Sequence, residues 1–379
     1  MRVVIASDSF KGSLSSIEAG NAISEGIKRV FTDSETVIHP IADGGEGTTE
    51  ALVRGLNGRF HKVIVSDPLG RKITAQYGIL SDNTAVIEMA AASGLTLLSE
   101  NERNPMNTTT FGTGEIIRDA VNHGCRNFII GIGGSATNDG GIGCLHALGF
   151  DMLDCNGHQV EKGAKGLSQL YEITDNNVMP ELFECTFHTA CDVNNPLCGE
   201  NGCSAVFARQ KGADDKMIQE MDSYLKNYAL LTKQYNSSAN LDTAGAGAAG
   251  GLGFALLYYL NARLESGIDM IIRETKLEES IKSTDIVITG EGCLDAQTTM
   301  GKAPVGVAKI AKKYHKPVIA FSGSVRNGSK ISNQKGIDAF FPIIRNICTL
   351  EKAMEKNTAY QNLADTAEQV FKVIKLFRT

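Results

Sequence analysis

The sequence predicts an α/β protein of two domains, one of them a parallel sheet covered by helices on both faces. Three observations carry this expectation. Short apolar strands alternate with helical segments at both ends of the chain, the pattern of parallel βαβ units. The middle instead holds β-like runs with no helix between them, which reads as hairpins. At 379 residues the chain also exceeds the size at which one core usually stops growing. The middle is therefore expected to be an insertion. Residues 1–58 and 270–379 would form the discontinuous sheet domain and 59–269 the inserted α/β domain, with the active site in the cleft between them.

The elements follow in order. Val3 to Ala6 is a short apolar strand, and Ser15-Ser-Ile-Glu18 is a capping box opening a helix to about Val30. Thr36 to Ile41 reads as a strand and Thr48 to Leu56 as a helix. Lys62–Val65, Ile73–Leu80 and Ala85–Met89 are the hairpin strands. Phe128 begins a buried strand that runs into the glycine-rich turn Gly131-Ile-Gly-Gly-Ser-Ala-Thr-Asn-Asp-Gly-Gly141, with a helical segment from Ile142 to Leu148. Phe187 to Asp192 is a strand ending on a carboxylate, and Asp214 to Gln234 is a long amphipathic helix. The C-terminal third repeats the opening grammar: strand Asp285–Thr289, helix Pro304–Tyr314, then strands Pro317–Ser322 and Phe340–Ile344. The last helix carries one apolar stripe, Leu363, Ala367, Val370, Ile374 and Phe377, at spacings of four and three.

Composition narrows the function. A net charge of −6 argues against nucleic acid as a main partner. No apolar run approaches the ~20 residues that span a bilayer, and the N-terminus enters a strand without a signal-peptide profile. The nine cysteines are an odd number at spacings unlike a zinc site, as expected of reduced cytoplasmic thiols. The seven histidines show no HxxxH pairing, and serine-nucleophile and P-loop patterns are absent.

Polar clusters recur where strands should end: Asp8-Ser-Phe-Lys-Gly12, Ala42-Asp-Gly-Gly-Glu-Gly47, the glycine-rich turn, Cys191-Asp-Val-Asn-Asn-Pro196 and Gly290-Glu-Gly-Cys-Leu-Asp295, the last followed by Gly301-Lys302. Open α/β sheets bind ligands at those ends. In the glycine-rich turn, Gly133 and Gly134 let backbone N–H groups approach an anion, and Ser135, Thr137, Asn138 and Asp139 add polar groups. Asp43 and Glu46 suit Mg²⁺ or cap the helix near Thr48. Glu291 and Asp295 are metal ligands or turn residues. Asp8 caps a turn or meets ligand, and Lys11 is a solvated cation or a phosphate contact. Asp192 is a turn carboxylate or a positioned base. Arg71, in Asp67-Pro-Leu-Gly-Arg71, grips a carboxylate or sits in solvent at a hairpin. A dinucleotide alternative exists, since Gly131 to Ala136 fits GxGxxA after a strand. A dinucleotide loop does not need Thr-Asn-Asp, whereas phosphoryl transfer needs donors for oxygens and carboxylates for Mg²⁺.

Several stretches together resemble the type I bacterial glycerate kinases from end to end. They are Asp8 to Ser15, Ile41 to Thr48, Gly131 to Gly141, Cys191 to Leu197, Gln210-Lys-Gly-Ala213, Gly245 to Gly253 and Gly290 to Asp295. The resemblance implies a discontinuous Rossmann- or flavodoxin-like domain and an ATP- and Mg²⁺-dependent kinase that converts D-glycerate to 2-phosphoglycerate. A 3-kinase, an NAD-dependent oxidoreductase and a non-catalytic sensor are the alternatives. The resemblance does not assign individual roles; our own assignment from the clusters is that Gly133 to Asp139 would cradle ATP, Lys11 or Lys211 would neutralise the transferred phosphoryl group, and Asp192 would take the hydroxyl proton. Arg71, Asp8 and Asn194 would contact glycerate, and Asp43, Glu46, Glu291 and Asp295 would hold Mg²⁺. The expected partners are small molecules, with neither nucleic acid nor membrane, in a cytoplasmic monomer or homodimer.

Overall fold

The computed structural model describes residues 1–295 and 302–377, so Gly301 of the fifth cluster lies outside the described residues. The chain divides into two compact units: Met1–Asp43, Glu50–Leu56 and Ile268–Thr379 form the first, and Gly44–Thr49 and Asn57–Gly267 the second.

The first unit is built on five parallel strands. From edge to edge they are Ala339–Pro342, Val318–Val325, Ile286–Leu294, Arg2–Ser7 and Glu35–Ile38. Numbered within the unit, this is the order 2-1-3-4-5 of a flavodoxin-like sheet. Its topological switch point falls between Arg2–Ser7 and Ile286–Leu294. The helix Ser16–Lys28 opens on the capping box read from the sequence: Ser15 Oγ accepts from the Glu18 N–H, and Glu18 Oε2 accepts from the Ser15 N–H. Its apolar face, with Ile23 and Ile27, packs with Leu363, Ala367 and Phe371 of the helix Lys356–Leu376 over Val3, Ile5 and Ile288. A Cβ at Gly26 would lie 2.2 Å from the Ala364 carbonyl oxygen, so glycine lets these two helices touch. The stripe expected on the last helix holds through Ile374, which packs partly buried against the same core, but not at Phe377, which lies past the helix end and is exposed.

The second unit holds six strands in the order Arg263–Glu265, Thr186–Ala190, Asn127–Gly131, Thr84–Glu88, Lys72–Ile79 and Arg59–Ser66. The first four are parallel, and the last two join as antiparallel hairpins. Asp151–Leu153 and Glu172–Thr174 make a separate antiparallel pair. The core gathers Phe128 stacked on Phe187 at 4.8 Å, with Tyr228, Phe254 and Tyr259 beside Phe150. Among the described residues no helix is long and apolar enough to cross a membrane.

Candidate active site

In the first unit, the carboxyl ends of the two switch-point strands open onto a cavity of about 290 Å³. Asp8 and Lys11 follow the strand Arg2–Ser7, Glu291 and Asp295 belong to the end of Ile286–Leu294 and the turn after it, and Asp43 and Lys302 complete the charged wall. Phe10, Ile343, Leu350 and Met354 form an apolar wall opposite in character. Close backbone packing shapes this end of the sheet: a Cβ at Gly290 would meet the Phe321 carbonyl oxygen at 2.5 Å, and one at Gly323 would meet the Gly292 carbonyl oxygen at 2.5 Å.

Electrostatics single out Asp8. It is almost wholly buried, and its Oδ1 accepts the Ser9 N–H at 2.6 Å. Burial first, then the nearby Asp43 carboxylate, push its pKa from 3.8 up to about 7. Lys11 Nζ, 3.7 Å from Asp43 Oδ2, offsets part of this crowding. These acids offer oxygen donors only, the chemistry a hard divalent cation such as Mg²⁺ takes, but no three of these described residues stand within 4.8 Å of one another, so a cation would have to draw them together.

Crowding also has a cost in stability. Between pH ~4 and ~7 the folded chain holds a proton on Asp8 that the unfolded chain has lost, so stability falls as pH rises through that window. The gap between 3.8 and about 7 sets an upper bound of ~4 kcal/mol. Asp8→Asn keeps an acceptor for the Ser9 N–H and removes the charge. The variant should melt above the parent at pH 8, with the difference shrinking toward pH 4 in thermal scans. An equal or lower melting temperature at pH 8 would show that Asp8 is not strained.

In the second unit, the strand Asn127–Gly131 leads into the glycine-rich turn. Gly133 and Gly134 are exposed, and Gly134 takes φ 74°, a conformation that favours glycine. A Cβ at Gly131 would lie 2.4 Å from the Gly44 carbonyl oxygen and one at Gly133 3.2 Å from Gly45 Cα, so Gly44 and Gly45 line this turn. The Asp43-Gly-Gly-Glu-Gly47 motif is thus divided. Asp43 lines the first unit's cavity, while Gly44 to Gly47 belong to the second unit with Glu46 exposed.

Beneath the turn lies Lys211, fully buried. Its Nζ donates to Ser135 Oγ at 2.7 Å and to the Thr137 carbonyl at 2.6 Å. Burial depresses its pKa from 10.5 to about 8. Thr137 Oγ1 and Asn138 Oδ1 are buried with no hydrogen-bond partner, and Asn138 Nδ2 donates to Ser204 Oγ.

Asp139 is differently employed. It is completely buried: Oδ2 accepts from the Thr110 N–H and hydroxyl, and Oδ1 from the Gly141 N–H. Burial still raises its pKa despite these bonds. Asp139 therefore ties the start of the helix Phe111–Asn122 to that of the six-residue helix Ile142–Ala147, and the latter's first N–H groups turn inward rather than to a ligand.

The remaining expected residues lie elsewhere. Asp192 and Asn194 are exposed after the strand Thr186–Ala190, and Asp192 Oδ1 accepts the Gly267 N–H at 3.0 Å. Arg71 occupies a hairpin corner with its fork engaged by Asp67 and Glu102, each at 2.5 Å. Three features went unread in the sequence. Lys302, which follows the fifth polar cluster but received no role of its own from the sequence, lines the cavity. The apolar wall comes from residues more than 300 positions beyond Phe10. Glu88, at a strand end, accepts the Thr49 N–H, and burial raises its pKa.

Comparison with known proteins agrees across the whole length. Residues 3–375 match the model of the glycerate kinase family. The chain is 46% identical to a glycerate 2-kinase of Escherichia coli K12, covering 98% of this chain and 97% of that one. It is also 46% identical to a glycerate kinase of Bacillus subtilis 168, covering 100% and 99%. A crystal structure from Salmonella typhimurium LT2, described as a candidate glycerate kinase 2, superposes with a TM-score of 0.91 at 45% identity, covering 100% of this chain and 99% of that one. With matches this long and a fold shared throughout, the chain belongs to the glycerate kinase family.

Proposed function

We propose that this kinase transfers the γ-phosphoryl group of ATP to the 2-hydroxyl of D-glycerate, giving 2-phosphoglycerate and ADP. The observation that carries the reading is the set of acids, Asp8, Asp43, Glu291 and Asp295, that meets Lys11 and Lys302 at the switch point of the first unit. Phosphoryl transfer through a loose transition state asks mainly for placement and charge stabilisation, and this wall offers both. Membership of a kinase family replaces the dinucleotide alternative.

Roles follow from placement. The apolar wall of Phe10, Ile343, Leu350 and Met354 suits a purine. Asp43, Glu291 and Asp295 would hold Mg²⁺, whose contribution is to neutralise charge on phosphate oxygens. Exposed Glu46 stands as a further oxygen donor in this proposal. Backbone N–H groups of Gly133 to Ser135 receive phosphoryl oxygens, with the Lys211 ammonium as the charge beneath them. Thr137, Asn138 and Asp139 brace that turn from below. Asp192 accepts the hydroxyl proton, and Asp8 and Asn194 orient the substrate. To read the glycerate carboxylate, Arg71 would have to leave two carboxylates, so we assign it to the hairpin instead.

Incubation with ATP, Mg²⁺ and D-glycerate, followed by phosphorus NMR, tests the reading. The expected product shows one new monoester resonance coupled to the C2 proton. A signal coupled to the two C3 protons would make the enzyme a 3-kinase, and ATP consumption without either signal would remove glycerate as the acceptor.

A further inference from the structure

Away from the candidate active site, the second unit brings together two histidines and a carboxylate. His61 lies on the strand Arg59–Ser66, Asp119 in the last turn of the helix Phe111–Asn122, and His123 at that helix's C-cap. One potential ligand atom from each lies within 4.8 Å of the others. We propose that His61, Asp119 and His123 form a binding site for a divalent transition-metal cation of the zinc class.

Geometry supports this first. His61 Nε2 is 3.4 Å and His123 Nδ1 3.5 Å from Asp119 Oδ2. Zinc ligands at ~2.0–2.2 Å in tetrahedral array stand ~3.4 Å apart, so these separations already match two edges of a coordination tetrahedron. The two imidazole rings are close, with centroids 4.3 Å apart. The chemistry agrees, because two imidazoles and one carboxylate favour zinc-type ions over the oxygen-loving Mg²⁺ or Ca²⁺.

Surrounding bonds hold the ligands in place. The Tyr77 hydroxyl, on the strand directly opposite His61, donates to Asp119 Oδ2 at 2.9 Å and fixes the carboxylate, as outer-shell donors do at metal centres. His123 Nδ1 also donates to the Asp119 carbonyl at 2.8 Å, so ligation at Nδ1 would move that proton to Nε2 and turn the ring off the carbonyl toward Asp119 Oδ2, 3.5 Å away. The carbonyl keeps the His123 backbone N–H at 3.0 Å, so the exchange leaves no orphan acceptor. Asp119 and His123 are partly exposed, which leaves the remaining coordination position to water. The cation would clip the hairpin to the helix. Arg59, within electrostatic reach of Tyr77, is an adverse charge.

The test uses the full-length protein stripped of metal and titrated with zinc by calorimetry. Wild type is expected to bind one zinc ion with micromolar affinity and to gain several degrees in melting temperature. His61→Gln and His123→Gln should each weaken binding by at least ~10-fold while leaving the metal-free melting temperature and kinase activity unchanged. X-ray absorption of the zinc-loaded wild type should show a nitrogen and oxygen shell. A sulfur shell from the free cysteines, equal zinc affinity in the histidine variants, or no binding in wild type would each overturn the proposal.

Discussion

Lys211→Met is expected to reduce kcat/KM by ~10³-fold or more while the protein melts at or above the parent temperature. The two halves of this expectation have separate causes. Lys211 is fully buried beside Ser135 Oγ and the Thr137 carbonyl, and burial drives its pKa down to about 8. An ammonium in that position is costly to the fold. A depressed lysine pKa means the unfolded chain binds more protons between about 8 and 10.5, so stability falls as pH drops through that window. Methionine fills similar volume without the charge and relieves the penalty. The loss of turnover arises elsewhere: the turn above would lose the ammonium held against Ser135 and Thr137, where the proposed mechanism has negative charge grow. Steady-state kinetics and thermal melting on the same preparation separate the effects. A large drop in melting temperature with little loss of turnover would make Lys211 a structural residue only.

Asp192→Asn is expected to lower turnover by ~10²–10⁴-fold with an unchanged melting temperature. The carboxylate sits two residues past the strand Thr186–Ala190, at the end where α/β sheets present their chemistry. Its Oδ1 also accepts the Gly267 N–H. Asparagine keeps an oxygen for that bond and loses only the capacity to take a proton, whereas Asp192→Ala loses both. The comparison isolates the chemical role from the structural one. If the asparagine variant turns over at near-normal rates and only the alanine variant suffers, Asp192 is a cap, and the proton goes to another group or directly to the transferred phosphoryl oxygens.

Much of the fold was legible because local signals and tertiary demands agree. The Ser15–Glu18 capping box forms as read, and the strands at both chain ends lie where apolar runs met turn residues. Asp8 and Glu291 were legible as polar residues following apolar runs, and both line the cavity, although Glu291 lies within the strand Ile286–Leu294 rather than past its end. Elsewhere the signals conflict. The helix Phe111–Asn122 carries Gly112 and Gly114 in its first turn, which lower its propensity. Both are there for packing: a Cβ would strike the Ser66 carbonyl at 1.9 Å and the Cys144 carbonyl at 2.3 Å. Asp139 and Lys211 show a second limit. In sequence, both belong to polar, glycine-flanked stretches that look solvated, and only the three-dimensional packing buries them. Arg71 looked like a free fork because its partner Glu102 lies 31 residues away.

A crystal of the protein with a non-hydrolysable ATP analogue and Mg²⁺ tests the central claim most directly. The account predicts phosphoryl oxygens within hydrogen-bond reach of the backbone N–H groups of Gly133 to Ser135, with Lys211 still beneath the turn. Phosphates bound away from that turn, with Gly133 and Gly134 left facing solvent, would contradict it.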